Sequence, residues 1–345
     1  MAHDAGPHQI GRPAMSTQRL SPNSTPSRQQ NGHEMIANDT FCHEALFYSG
    51  FAEFIETVGR FVREGVDLGE PVLVIADDRK IKGLRSELGS RSAKVHFADM
   101  AVIGRNPGLI LAAWEDHFSE HGGGGQRIRG VGEPINQAST GQTLDECHRQ
   151  EALLNVAFVG SSAWWLLCPY DTAALSDAVV REARRNHPFL GQDGHHVANP
   201  SARTPYECSQ LWSELEPAQS SSTSMLVVDD SELSMIRQLA TEEAVSKGIC
   251  AQRSRDVGIV VEELAKSSNP SRGSVWIQMW QGPEAFICEI LDGNGAVEPL
   301  AGHLLSFNTS ARGEALSLAQ TLSDLVQQRS DPDTNAVRIH FLTES

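Results

Sequence analysis

No stretch of this 345-residue chain approaches the roughly 20 consecutive apolar residues that a membrane-spanning helix requires. Its polar beginning also lacks the apolar core of a secretory signal peptide. Basic residues are outnumbered by acidic ones, 28 against 44, giving a formal net charge of −16 and a pI near 5.2. A nucleic-acid surface needs clustered Lys and Arg to neutralise phosphates, so that class of partner is excluded. The six cysteines (Cys42, Cys147, Cys168, Cys208, Cys250 and Cys288) are scattered, with no Cys-x-x-Cys pair and hence no disulfide framework. No internal repeat is evident. These absences predict a soluble, acidic, cytoplasmic protein with reduced thiols, long enough for two ordinary domains.

Residues 1–40 are rich in Pro, Ser, Gln, Asn, His and Gly and read as disordered, with Met15 and Met35 as further candidate starts. Order begins near Ala45. Short apolar runs at 45–48, 71–76, 94–97, 127–131 and 163–168 read as strands. Amphipathic stretches at 51–66, 79–88, 107–120, 144–159 and 172–185 read as helices. Alternating strands and helices predict right-handed crossovers and a mostly parallel α/β sheet over residues 42–190. Residues 191–224 lose the pattern and read as a linker, with a docking segment at 206–215. A second αβ pattern fills 225–345: strands at 225–228, 274–280, 285–292 and 336–342, and helices at 232–247, 253–267 and 314–328. That order predicts an α/β sandwich, and the polar linker predicts two domains that separate under limited proteolysis.

The second pattern carries a helix with Glu263-Leu264-Ala265-Lys266-Ser267, a strand ending Asp292-Gly293-Asn294-Gly295, and a later turn Arg312-Gly313-Glu314-Ala315. Glu263 and Ser267 are four apart and share one helix face. With Glu289-Ile290-Leu291-Asp292, Pro299-Leu300-Ala301-Gly302 and Leu322-Ser323-Asp324-Leu325-Val326-Gln327, this half resembles the ATPase domain of RsbW-type anti-sigma-factor serine kinases, relatives of histidine-kinase catalytic domains. The resemblance implies Mg²⁺ and ATP as cofactors and Glu263 as the catalytic acid that polarises an attacking hydroxyl. Asp292 would take the adenine amine, and Gly293, Gly295 and Gly313 would admit the nucleotide. The chain departs from that pattern where a metal-ligating amide is replaced by Ser267 and where Glu314 places a carboxylate near the phosphates. Weak or absent nucleotide binding is therefore expected, on a fold kept as a partner-binding platform.

The first half carries His43-Glu44-Ala45-Leu46-Phe47-Tyr48, Arg63-Glu64-Gly65, Gly69-Glu70-Pro71-Val72, Gly104-Arg105-Asn106-Pro107-Gly108, Val131-Gly132-Glu133-Pro134-Ile135, His148-Arg149-Gln150-Glu151-Ala152-Leu153-Leu154-Asn155 and Cys168-Pro169-Tyr170-Asp171. These phrases resemble the MEDS sensory domain that precedes such an ATPase in RsbA-type regulators. Parallel sheets bind ligands at the carboxyl ends of their strands. Glu133, Tyr170 and Asp171 follow strands, and with Glu151 and His43 they are the candidate sensory pocket for a small-molecule ligand. Their ordinary roles also stand: Glu133 as a turn cap before Pro134, Glu151 as a partner of Arg149 or Arg129. No glycine-rich phosphate loop follows the first strand at Tyr48-Ser49-Gly50-Phe51. The dipeptides Cys42-His43 and Cys147-His148 raise a metal or redox reading, but neighbouring residues point in different directions, so no metal site is assigned. Asp77-Asp78 reads as a helix cap and Trp164-Trp165 as core.

Together the resemblances imply a cytoplasmic signalling regulator that controls a sigma factor or an anti-anti-sigma, STAS-type partner by protein–protein interaction, with homodimerisation left open. Two alternatives stay open beside it: an active serine/threonine kinase, and a metal or thiol redox sensor.

Overall fold

The computed structural model describes residues 40–343 apart from 123–125, 162, 193–194, 220–221, 228, 269–272, 294–295, 305 and 307–309. Two sheets organise it. Sheet A contains β1 (Phe41–Tyr48), β2 (Val72–Ala76), β3 (Val95–Asp99), β4 (Ile128–Gly132), β5 (Trp164–Asp171), β6 (Phe189–Gln192) and β7 (His195–Ala198) in the order β3-β2-β4-β5-β1-β6-β7. Every pairing is parallel except β6 with β7. The all-apolar β2 is buried along its whole length, as a strand covered on both faces must be.

Around sheet A run α1 (Gly50–Leu68), α2 (Asp78–Leu88), the short α3 (Met100–Ile103), α4 (Leu109–His121), α5 (Gly141–Ala157) and α6 (Asp177–Asn186). The Asp77 side chain accepts the Lys80 amide at 2.9 Å and so caps α2. Trp164 and Trp165 are buried at the start of β5, as their composition predicts.

Sheet B is antiparallel throughout. It contains β8 (Thr223–Val227), β9 (Val275–Gln281), β10 (Ala285–Asp292), β11 (Leu325–Ser330) and β12 (Asn335–Leu342) in the order β11-β12-β10-β9-β8. Helices α8 (Leu233–Ser246), α9 (Ala251–Ser267) and α10 (Ala311–Leu322) share one core with its inner face, through Val257, Val261, Phe286, Ile290, Leu316 and Phe341.

Two sequence expectations change here. The helix expected over 314–328 is α10 and then β11: it stops at Leu322, and the chain turns through Ser323 and Asp324 into an edge strand. Leu325-Val326-Gln327-Gln328 satisfies either period over so few residues, and pairing with β12 decides it. The segment 191–224 is not a free tether. It carries β7 and α7 (Pro205–Ser209), the latter closed by a Thr204–Glu207 capping box. Ser213 then clamps onto β11: its N–H donates to the Gln328 carbonyl at 2.8 Å, and its hydroxyl accepts the Gln328 N–H at 2.9 Å. The described residues of Ala37–Ser345 cluster as one compact unit.

Candidate functional site

Strand alternation turns His43 and Ala45 of β1 toward one face, and the register Ala45↔Cys168 sets Cys168 of β5 on that same face. Glu151 and Asn155, one turn apart on α5, reach them from the covering layer. His187 follows α6, its Nδ1 held 2.7 Å from the Ala183 carbonyl. The result is a cluster of His43, Glu151, Cys168 and His187, none more than 2% exposed, whose donor atoms all lie within 4.8 Å of one another. His43 Nε2 is 3.3 Å from Cys168 Sγ and 3.4 Å from Glu151 Oε2; His187 Nε2 is 3.0 Å from Glu151 Oε2.

The outer shell fixes the tautomers. His43 Nδ1 donates to Asn155 Oδ1 at 3.0 Å, and Asn155 Nδ2 donates to the Asn186 carbonyl at 2.7 Å. His187 Nδ1 donates to Ala183. Both Nδ1 atoms are therefore committed outward, and both Nε2 atoms face the carboxylate. Burial and the neighbouring His187 hold His43 below its ordinary pKa, so it stays neutral. Burial pushes the Glu151 carboxyl upward, and only a proton shared from His187 or His43 pulls it back below its ordinary range. The Cys168 thiol is raised well above its usual value by burial and by Glu151.

The five residues expected to form one sensory pocket divide into three groups. His43 and Glu151 meet in the cluster, and Tyr170 adjoins it, its ring centroid 5.6 Å from that of His187 and its phenol pushed far up by burial and by Glu151. Glu133 lies apart, at the carboxyl ends of β1, β2 and β4. There it accepts from Tyr48 Oη at 2.5 Å and from Lys80 Nζ at 2.6 Å. Asp171 accepts the Gly50 N–H at 3.1 Å and the Ala173 N–H at 3.0 Å, which is turn-capping work. Glu151 pairs with histidines rather than with Arg149 or Arg129, which bind Glu146 and Glu70 instead. Of the two Cys-His dipeptides, only His43 enters the cluster: Cys42 faces the other side of β1, and Cys147 Sγ lies 3.9 Å from the Pro134 carbonyl. Cys168 and His187 were legible only through strand pairing and helix ending, which a linear motif does not carry. On the opposite face of sheet A, a cleft of about 570 Å³ is lined by Glu44, Arg60, Glu64, Trp165, Arg184 and His196, among others.

In the second half, the Asp292 carboxylate is already engaged. It accepts from Ser268 Oγ at 2.8 Å and from Asn335 Nδ2 at 3.0 Å, and Arg312 Nη2 lies 3.3 Å away. Arg312 also donates to Ser268 Oγ at 2.7 Å. Ser267 donates to the Leu264 carbonyl at 2.8 Å, Glu263 pairs loosely with Lys266 at 3.7 Å, and Glu314 is exposed in the first turn of α10. Gly313 is buried, its N–H donating to Ser310 Oγ at 3.1 Å, and Gly293 sits beside the Asp333 carbonyl. Gly295 lies outside the described residues.

A buried polar seam joins the two sheets through α5. Glu146 accepts from Arg149 Nη1 at 2.7 Å and from Ser213 Oγ at 2.9 Å, and Ser213 is the residue clamped on β11. Arg149 Nε donates to the Leu211 carbonyl at 3.0 Å, and its Nη1 is 3.5 Å from His303 Nε2. The Gln320 amide of α10 is satisfied when its nitrogen donates to the Gly302 and Gly108 carbonyls and its oxygen accepts from His303 Nδ1. Asn106, fully buried, donates to the Gln320 carbonyl at 3.0 Å. Leu300 and Leu304 complete the seam by packing into the core of sheet A with Ile110, Leu111 and Trp114.

Residues 42–188 match the family model described as MEDS, the methanogen/methylotroph, DcmR sensory domain. No curated protein matches the chain. The match supports a regulatory signalling role for the first half. Among the described residues, no helix is long and apolar enough to cross a membrane.

Proposed function

We propose that this chain is a signalling regulator in which the MEDS-like half senses a chemical input and the C-terminal half delivers it to a sigma factor or an anti-anti-sigma partner. One observation carries the reading. Helix α5 places Glu151 in the buried cluster and, five and two residues earlier, Glu146 and Arg149 in the seam with sheet B. A change at the cluster that tilts or shifts α5 alters both ends of that seam, because packed interiors respond as units rather than deforming continuously. The output acts by binding rather than by phosphorylation in this reading: the carboxylate that the kinase resemblance assigns to adenine is occupied by Arg312, Ser268 and Asn335. A nucleotide would have to displace a charge-assisted contact that a further side chain completes.

Calorimetry of the full chain with Mg-ATP is expected to give no binding in the low-micromolar range, and such binding would restore the active-kinase reading. As bait in a lysate of the native host, the full chain should enrich a sigma factor or a STAS-type protein. Enrichment of neither class contradicts the proposed output. The metal or thiol sensor reading has the buried cluster in its favour and concerns the input alone.

A further inference from the structure

We infer that His43, Glu151, Cys168 and His187 form a closed binding site for a divalent metal ion of the zinc class. Three observations converge. First, the donor set is two imidazole nitrogens, a carboxylate oxygen and a sulfur, which is borderline-soft and suits Zn²⁺ or Co²⁺ rather than Mg²⁺ or Ca²⁺. Second, the spacing fits. Bond lengths to zinc of about 2.0–2.3 Å give tetrahedral ligand–ligand edges of about 3.3–3.6 Å. Three of the six edges here are 3.0 Å from His187 to Glu151, 3.3 Å from Cys168 to His43 and 3.4 Å from His43 to Glu151, and all six lie within 4.8 Å. Third, the cluster is electrostatically incomplete. Glu151 Oε2 and His187 Nε2 are fully buried and make no hydrogen bond among the described residues, although they face one another at 3.0 Å. Both imidazoles send their Nδ1 protons outward, to Asn155 and to the Ala183 carbonyl, which turns each ring so that Nε2 is presented to a cation. A buried carboxylate facing imidazole nitrogens costs several kcal/mol unless a positive charge, a proton or a metal ion, sits among them.

The connection Cys168–His43–Asn155 also has the order of a nucleophile, a base and an orienting amide. Burial of the thiol denies it a substrate and leaves it the role of ligand. Metal binding deprotonates Cys168, the sulfur taking the metal as its proton leaves to solvent, so the site holds the ion as thiolate, carboxylate and two neutral imidazoles.

This inference supplies the input chemistry of the proposed regulator and rests on that reading only for its biological use, because metal content is measured without any partner. The full chain, expressed with Zn²⁺ or Co²⁺ supplied and then freed of loosely held ions, is assayed for metal by mass spectrometry. One equivalent per chain is expected. The Co²⁺ form should show tetrahedral ligand-field absorption with a thiolate-to-cobalt charge-transfer band. Cys168→Ser should abolish that band, and Glu151→Gln, nearly isosteric, should weaken retention more than tenfold while the circular dichroism stays native. Cys147→Ser should change neither. Folded wild-type chain holding less than a tenth of an equivalent overturns the site, as does an unchanged charge-transfer band in Cys168→Ser. Loss of metal with partner capture intact would sink the input chemistry alone; metal retained with no partner captured would sink the regulator reading alone.

Discussion

Acidification from pH 6.5 toward 4 is expected to unfold this protein steeply. His303, His117 and His340 are buried and neutral, with burial lowering their pKa values to about 3, about 4 and about 4 respectively; Arg149 beside His303, His121 and His96 beside His117, and Arg338 beside His340 add to the effect. Each folded value lies below the ordinary 6.5, so the unfolded chain takes up these protons first. Their contribution to stability is complete above pH 6.5 and is lost as the pH falls toward the folded values. Each such group adds about 1.4 kcal/mol per pH unit across that window, so three steepen the slope to about 4 kcal/mol per unit. Glu133, raised by burial, offsets part of the effect. Against a net stability of about 5–15 kcal/mol, two to three pH units suffice to lose the fold. Urea titrations followed by tryptophan fluorescence at a series of pH values check this. His303→Gln should flatten the slope by about one proton. A midpoint that does not move between pH 7 and 4.5 would refute it.

Gly302→Ala should cost about 2–4 kcal/mol, with the loss concentrated where the two sheets meet. Gly302 has φ +84°, a conformation that side chains disfavour, and an added Cβ would sit 2.4 Å from Leu316 Cβ and 3.1 Å from the Leu316 carbonyl carbon. Helix α10 cannot yield there without dragging Gln320, which donates to the Gly302 carbonyl and bonds His303. Thermal unfolding of the variant should begin earlier and broaden, as Leu300 and Leu304 release from the first core. A melting curve superimposable on the wild type would mean this turn is slack.

Local order was legible in the sequence wherever one period ran long enough. The apolar spacing of Phe54, Val58 and Val62 gave α1, and the unbroken run in β2 gave a central strand. The Leu325–Gln328 stretch was too short for its period to distinguish helix from edge strand. The seam was illegible for a different reason: polar residues such as Ser213, Glu146 and Gln328 look like surface until their partners, 67 and 115 residues from Ser213, are brought to them. The same holds for the buried cluster. His43 and Glu151 stood out by type, but Cys168 and His187 join them only because β1 pairs with β5 and because α6 ends at Asn186. Asp292 was recognisable as the focus of the second site, yet nothing in the linear spacing announced that Arg312 would reach it.

The proposed signal depends on coupling between the buried cluster and the C-terminal half through α5. Hydrogen–deuterium exchange of the full chain, wild type against Glu151→Gln, tests it without a partner or a nucleotide. Faster exchange is expected in β1 and β5 beside the cluster and also across the seam, at residues 211–213, at 300–304 and in α10. Exchange altered only in β1, β5, α5 and α6, with the C-terminal peptides unchanged, would contradict the claim that the two halves act as one device.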